Sequence, residues 1–412
     1  SEWAFEQLHA DQTAWHPKRL FHNTSWYFYG TRENFEKANK QGMLAIDMGV
    51  FDPISGKTNS EIAALSRSQH KSQGFGSAAA LGERMEYLKL VKGKELTHND
   101  PFDGIDTQWT RVKGGAPIGK AIEEIIDDFD FSAPFKSVVP LLEVKSMISE
   151  IQDDHWKSVK IEEVDTLILN CLGMELQLNA NMPYGVLGED LQIKVLINNP
   201  SPLNVILKQI KYEDKQHDLN QPLQANLLFS KNFKTKVTGA ISSPYWLIQK
   251  GSQGMYTTEK TELIGGAKSP AAYLTELSFS IEGKKLKIAL PLQYRETDPV
   301  RGEVVTPFHI LPQAVLQLEA PVILFATNQR QKVKVSVKNL GPSVSGTLKL
   351  ETPKSWELNP KSIEVAITGK GNQSDFYFNI KAPLEATIGY LKPILQTPTT
   401  KLQASLREIA YN

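Results

Sequence analysis

Cysteine occurs once in this chain of 412 residues, at Cys171. A single thiol excludes a disulfide framework, a cysteine-based zinc finger and an iron–sulfur site. No apolar run reaches the length of about 18 residues that a membrane-spanning helix needs. An excess of one charge is also missing, because Lys+Arg and Asp+Glu number 46 each. That balance argues against a protein built mainly to bind nucleic acid or an anionic membrane surface. No two histidines stand at the i, i+4 spacing of a zincin, and no Gly-Lys-Ser/Thr follows a glycine-rich turn to make a phosphate loop. A starting Met and a signal peptide are lacking too. The segment 1–8, Ser-Glu-Trp-Ala-Phe-Glu-Gln-Leu, reads as the middle of an amphipathic helix, so the expectation is a fragment or a processed product.

The length allows two to four domains. Hydrophobic residues at 41 % and charged residues at 22 % suit a globular protein. The chain changes character near residue 175. Before it, 18–21 and 43–47 read as short buried strands. Thr58-Asn-Ser-Glu61 fits a capping box that opens a helix through His70, with Gly74-Phe75-Gly76 as its stop. Three amphipathic helices follow, over 117–129, 134–151 and 157–172. The first carries a stripe of Ile118, Ile122, Ile125, Ile126 and Phe129 opposite Glu123, Glu124, Asp127 and Asp128. Cys171 falls on the apolar stripe of the third and reads as a packing residue rather than a nucleophile.

Residues 176–412 read as β. Segments 191–197, 332–338 and 376–380 alternate apolar and polar, the mark of one buried and one wet face. Turn residues recur at short spacing, the rhythm of antiparallel sandwiches. A weak repeat suggests two sandwiches: the first alternating strand runs into Asn198-Asn-Pro-Ser-Pro202, the second into Asn339-Leu-Gly-Pro-Ser343. The expected boundary between them is near Glu319-Ala-Pro321. The stretch 220–275 is long for one connection and reads as extra strands or an elaborated loop.

Candidate chemistry is sparse. Among the histidines, His9-Ala-Asp11 has the look of part of a metal motif but no second ligand nearby. His16 precedes a proline and reads as a turn residue, and His22 ends an apolar strand. The densest polar cluster is 66–73, Ser-Arg-Ser-Gln-His-Lys-Ser-Gln. On a helix Ala63, Ser66, Arg67 and His70 share a face that could meet an anion or a sugar hydroxyl, or be an ordinary solvated face. Trp26-Tyr-Phe-Tyr29 and Tyr245-Trp246 could stack on sugars, but such runs are more often core.

Three stretches resemble PIG-L/LmbE-type zinc-dependent deacetylases: 17–24 (Pro-Lys-Arg-Leu-Phe-His-Asn-Thr), 46–53 with Gly56-Lys57, and above all 61–76, which resembles the family's helix ending His-x-Ser-Gln. Tyr245-Trp-Leu247, Gly254-Met-Tyr256 and 294–303 resemble the Ig-like region that follows the deacetylase in large multidomain bacterial members. The resemblance implies a C-terminal remnant of a Rossmann-like α/β deacetylase domain (1–115), a helical segment (116–175), and two Ig-like antiparallel β-sandwiches (176–318 with an insertion, and 319–412). It implies a hydrolase that removes acetyl from an N-acetylglucosamine-type substrate, using a zinc-bound water and an Asp base. The family's Ala-His-Pro-Asp-Asp and later His motifs are absent, so no residue here is taken as a zinc ligand, and no zinc is expected in this fragment alone. His70 is expected to position substrate or water, with Arg67, Ser66 and Gln73 touching an amino-sugar or glycan. Members of this architecture are often exported to the periplasm or beyond, which fits the scarcity of cysteine. The alternative is a non-catalytic module that docks glycan or protein through its sandwiches.

Overall fold

The structure, a computed structural model, describes residues 17–326 and 329–406. The expectations on segment 1–8, His9, Asp11 and His16 lie outside the described residues. The chain divides into two units, Ser1–Gln108 and Trp109–Asn412. The division falls ahead of the expected break after residue 115. The 3-10 turn Trp109–Arg111 and Val112 pack into the second unit, where the Trp109 side chain lies against Gly119. Among the described residues no helix is long and apolar enough to cross a membrane.

In the first unit, β1 (Arg19–Thr24), α1 (Arg32–Lys37) and β2 (Leu44–Asp47) precede a small hairpin of β3 (Phe51–Asp52) and β4 (Lys57–Thr58). Helix α2 (Asn59–Ser68) and strand β5 (Met85–Gly93) follow. The sheet order is β1-β5-β2 and both pairings are antiparallel. These residues therefore do not themselves form a parallel Rossmann-like layer. Within 17–108 Leu44 is the one buried hydrophobic side chain; Thr24 and Ser60 are buried polar residues. The aromatic run 26–29, read as core, forms a 3-10 turn in which Trp26, Tyr27 and Phe28 are exposed. With about three residues per turn, successive rings point in different directions and cannot share one buried face.

The second unit opens with α3 (Ala116–Asp127), a 3-10 turn at Pro134–Ser137 leading into α4 (Val138–Ser149), and α5 (Asp154–Leu172). Ile118, Val138, Leu141, Leu142, Ile148 and Ile168 are buried as their stripes require, while Ile126 and Leu167 are exposed at the stripe margins. Next come β6 (Glu175–Ala180), β7 (Tyr184–Val186), β8 (Asp190–Asn198), β9 (Val205–Tyr212), β10 (Lys215–Leu223) and β11 (Phe229–Lys236). After a long connection come β12 (Leu274–Ile281), β13 (Lys284–Pro291), β14 (Gln293–Asp298), β15 (Gly302–Pro307) and β16 (His309–Leu311). Sheets β10-β9-β12-β13 and β11-β8-β6-β14-β15 share one hydrophobic cluster. Helices α3–α5 contribute to the same cluster, so they are part of this sandwich's core rather than a separate segment. The stretch 220–275 holds both an extra strand, β11, and an elaborated loop with 3-10 turns at Tyr245–Leu247 and Thr261–Leu263.

The last sandwich comprises β17 (Ala314–Leu318), β18 (Gln331–Asn339), β19 (Ser343–Glu351), β20 (Glu357–Asn359), β21 (Ile363–Thr368), β22 (Gln373–Lys381), β23 (Lys392–Gln396) and β24 (Lys401–Leu402). Its sheets are β17-β18-β22-β20 and β21-β19-β23-β24, around a second cluster. Strand β17 pairs with β18, so this sandwich begins at Ala314, upstream of the expected boundary at 319. The short segment 312–313 makes the actual crossing. The repeated Asn turns have one physical cause. Each carries the chain from one sheet of a sandwich to the other, and each buries its Asn. Asn199 Oδ1 accepts the Ser201 backbone N–H, and Asn339 Oδ1 accepts that of Gly341, both at 3.2 Å. Asn339 Nδ2 also donates to the Gly369 carbonyl at 2.9 Å. The sandwiches meet through Val186, Val315 and Leu340, and through Lys370, whose Nζ donates to Glu189 Oε1 at 2.9 Å and the Tyr184 carbonyl at 3.2 Å.

Candidate ligand cleft

The chemistry-bearing helix of the first unit is α2, and its start follows from sequence. Thr58 Oγ1 accepts the Glu61 backbone N–H at 3.2 Å, and Glu61 Oε2 accepts the Thr58 N–H at 2.7 Å. This is the capping box expected, and those hydrogen bonds hold the Glu61 carboxyl below its ordinary pKa. The helix stops at Ser68, earlier than expected. The Gln69 N–H turns to the Ser66 and Arg67 carbonyls, and His70 leads into a 3-10 turn at Lys71–Gln73 that Gly74 ends in a left-handed conformation. The run after Leu65 offers no apolar residue to hold another helical turn against the sheet.

The four residues singled out for chemistry do not come together. Arg67 borders a cleft of about 400 Å³ between α2 and the sheet. Ser66, His70 and Gln73 are exposed and are not among the residues lining it. The His70 ring nitrogen Nδ1 lies 3.2 Å from the Arg67 carbonyl, and its ring is 6.2 Å from that of Phe75. The Arg67 guanidinium lies 5.5 Å from the same Phe75 ring. His22 sits inside β1 rather than at its end, with its ring 4.7 Å from Phe28.

The helix lends the cleft Asn59, Ser60, Ala63, Ala64 and Arg67, a face of neighbouring turns. The sheet lends Asn23, Ile46, Glu86 and Leu88, and a strap over 77–84 closes the side with Arg84. Both ends of the strap are tied. The Ser77 N–H donates to Ser68 Oγ at 3.2 Å. Asp47 Oδ1 accepts the N–H of Arg84 at 2.8 Å and that of Gly49 at 2.7 Å, and the Met48 N–H donates to the Arg84 carbonyl at 2.8 Å. The N–H groups of Arg84 and Gly49 pull the Asp47 carboxyl below its usual pKa, so it stays ionised as a structural acceptor. Position 49 has to be glycine, since a Cβ there would lie 2.2 Å from the Gly82 carbonyl oxygen.

The polar groups around the cleft are incompletely satisfied. Ser60 is 7 % exposed, and its Oγ has no hydrogen-bond partner. Arg84 Nε stands 3.7 Å from Glu86 Oε1, longer than a charge-assisted hydrogen bond. Arg67 makes no ion pair among the described residues. Sequence reasoning missed Ser60, Arg84 and Glu86. Ser60 lies inside the capping motif and was read for its helix signal, and the pair 84/86 on a strand start carries no motif.

Elsewhere Cys171 is half-buried against the core, which pushes its thiol pKa up and suits a packing role. Tyr245 is buried, with its hydroxyl donating to the Gly266 carbonyl at 3.1 Å, while Tyr256 is exposed. Among the described residues no group of three or more His, Cys, Asp or Glu could hold a metal ion. The described residues do not fit the zinc that the resemblance implies for the parent protein, and no step below is routed through it.

No protein-family model and no curated protein matches the chain. Among the solved structures that share stretches with it are three. The native E. coli alpha-2-macroglobulin is 14 % identical over 56 % of this chain and 16 % of that one, with a TM-score of 0.21. Red sea bream transglutaminase is 12 % identical over 63 % and 36 %, with a TM-score of 0.26. Salmonella alpha-2-macroglobulin reacted with methylamine is 10 % identical over 54 % and 15 %, with a TM-score of 0.20. The chain thus spans well under two thirds of each. At such TM-scores the likeness carries no argument about function.

Proposed function

We propose that this chain is part of a PIG-L/LmbE-type de-N-acetylase. In this reading 17–108 supply one wall of an amino-sugar pocket and the two sandwiches, Ig-like in type, are accessory domains of a multidomain and exported parent. The observation that supports it is the cleft beside α2. The helix with the most specific resemblance turns Arg67 to a cleft whose floor is small or apolar and whose border offers hydroxyl, amide, guanidinium and carboxylate groups. A sugar ring asks for such a mixture, with apolar faces to cover and several hydroxyls to orient. Of the residues expected from sequence, Arg67 is the one so placed. Ser66, His70 and Gln73 would touch only a substrate that reaches past the end of α2. Zinc and the general base would come from parts of the parent other than the described residues.

The test is acetate release from N-acetylglucosamine-terminated oligosaccharide by the full-length parent. Arg67→Gln should lower kcat/KM about tenfold, the scale of one charge-assisted contact, with the melting temperature unchanged. A parent that releases no acetate from any N-acetylated sugar would sink the proposal. The docking-module reading has one feature in its favour: the connection between β11 and β12 exposes Leu247, Ile248, Met255, Tyr256 and Ile264.

A further inference from the structure

We infer that the α2 cleft is a site for a small organic anion, with the anionic group at Arg67 and Arg84 and a polar atom of the ligand on the Ser60 hydroxyl. The inference rests on reading the cleft as a ligand pocket, as above, and not on the deacetylation chemistry. Three observations carry it. The first is Ser60. Ser60 is 7 % exposed and borders the cleft, and its hydroxyl has no hydrogen-bond partner, so a ligand atom at the cleft wall would supply what it lacks.

The second is charge. Two guanidiniums face one carboxylate, Glu86, around the cleft. The Arg67 guanidinium lies 5.5 Å from the Phe75 ring and makes no ion pair among the described residues, and Arg84 stands 3.7 Å from Glu86. The Asp47 carboxylate is taken up by backbone N–H groups, which leaves the two guanidiniums with donors that no close carboxylate saturates, and these suit a carboxylate or phosphate, which a guanidinium can bind through two hydrogen bonds. Arg84 is also placed before any ligand arrives, because Asp47 and Met48 grip its backbone. Pre-organisation of this kind removes part of the ordering cost of binding.

The third is the floor. Ala63, Ala64, Ile46 and Leu88 offer carbon surface and no polar group, so the body of the ligand is a carbon skeleton rather than bare inorganic phosphate. The cleft volume of about 400 Å³ falls within the range of roughly 300–1,000 Å³ usual for small-molecule sites.

The experiment is a ligand-observed NMR titration of the whole 412-residue chain at fixed ionic strength with three probes. They are N-acetylglucosamine 6-phosphate, N-acetylglucosamine and hexanoate. The phosphorylated sugar should bind at least about tenfold tighter than the neutral one. Arg67→Gln and Arg84→Gln should each weaken it by about tenfold, and Ser60→Ala by about fivefold, with unchanged circular dichroism. Arg67 is exposed, so its variant tests the idea even where Ser60→Ala disturbs folding. Equal affinity for the two sugars, or affinity unmoved by both arginine variants, overturns the anion inference and leaves the amino-sugar reading standing. Binding of hexanoate but of neither sugar supports the anion inference and removes the amino-sugar reading. Binding of none of the three overturns the inference.

Discussion

Within 17–108 the described residues bury one hydrophobic side chain, Leu44 at 3 % exposure, whereas from Val112 to Ile310 a single cluster joins three helices and two sheets. The two regions do not differ in their local signals. Capping, turn glycines and strand pairing are as complete in α2 and β5 as in α5 and β8. They differ in whether the elements have something apolar to lie on. Hydrophobic burial is the dominant favourable term in folding, so equal secondary structure with unequal burial means unequal stability. The open space that weakens the first region is also what leaves it a cleft.

The comparison can be broken most directly by separating the regions. Residues 109–406 expressed alone should unfold cooperatively in urea. Residues 17–108 alone should show no cooperative transition and should be cut by trypsin much faster. A sharp transition from 17–108 would mean that its sheet is held by something other than side-chain burial. A core substitution sharpens the same contrast. Phe279, 1 % exposed in β12, should cost about 3–5 kcal/mol on replacement by Ala, read from the shift of the urea midpoint of the full chain. A loss under about 1 kcal/mol would argue that helices and sheets do not share one packed core. The smallest effect belongs to a polar turn. Asn339→Ala strands the Gly341 N–H and the Gly341 carbonyl, and should cost about 1–3 kcal/mol. The size of that loss would show how much the buried Asn adds beyond the apolar core around it.

Much of this was legible in the sequence, for physical reasons that can be named. The box at Thr58 and Glu61 is a contact between residues three apart, so it needs no knowledge of the rest of the chain. The alternation in 191–197 and 332–338 marks a strand with one buried face wherever that strand goes, and Val333, Val335 and Val337 are fully buried as it requires. The Asn repeat was visible because a buried turn amide bonds its own next-but-one residue. The cleft was not legible in the same way. It exists because Asp47 reaches across to Arg84, thirty-seven positions away, and because Ser68 holds Ser77. The early end of α2 was missed because a polar run shows no period from which to read the boundary.

By itself, then, the sequence determined the capped start of α2, the three helices ahead of residue 175, the β character of 176–412 with its alternating strands, and the charge balance and single thiol of a protein without disulfides. Those properties are set by neighbours along the chain, and propensity, capping and period report them. Only the tertiary structure decided that α3–α5 belong to the first sandwich's core, that β17 opens the second, and that Arg67 rather than His70 borders a cleft with an unpartnered Ser60. These depend on which distant surfaces meet. A residue's burial and its unmet hydrogen bonds belong to the space around it, and a sequence pattern of period two or 3.6 specifies a face without naming what covers it.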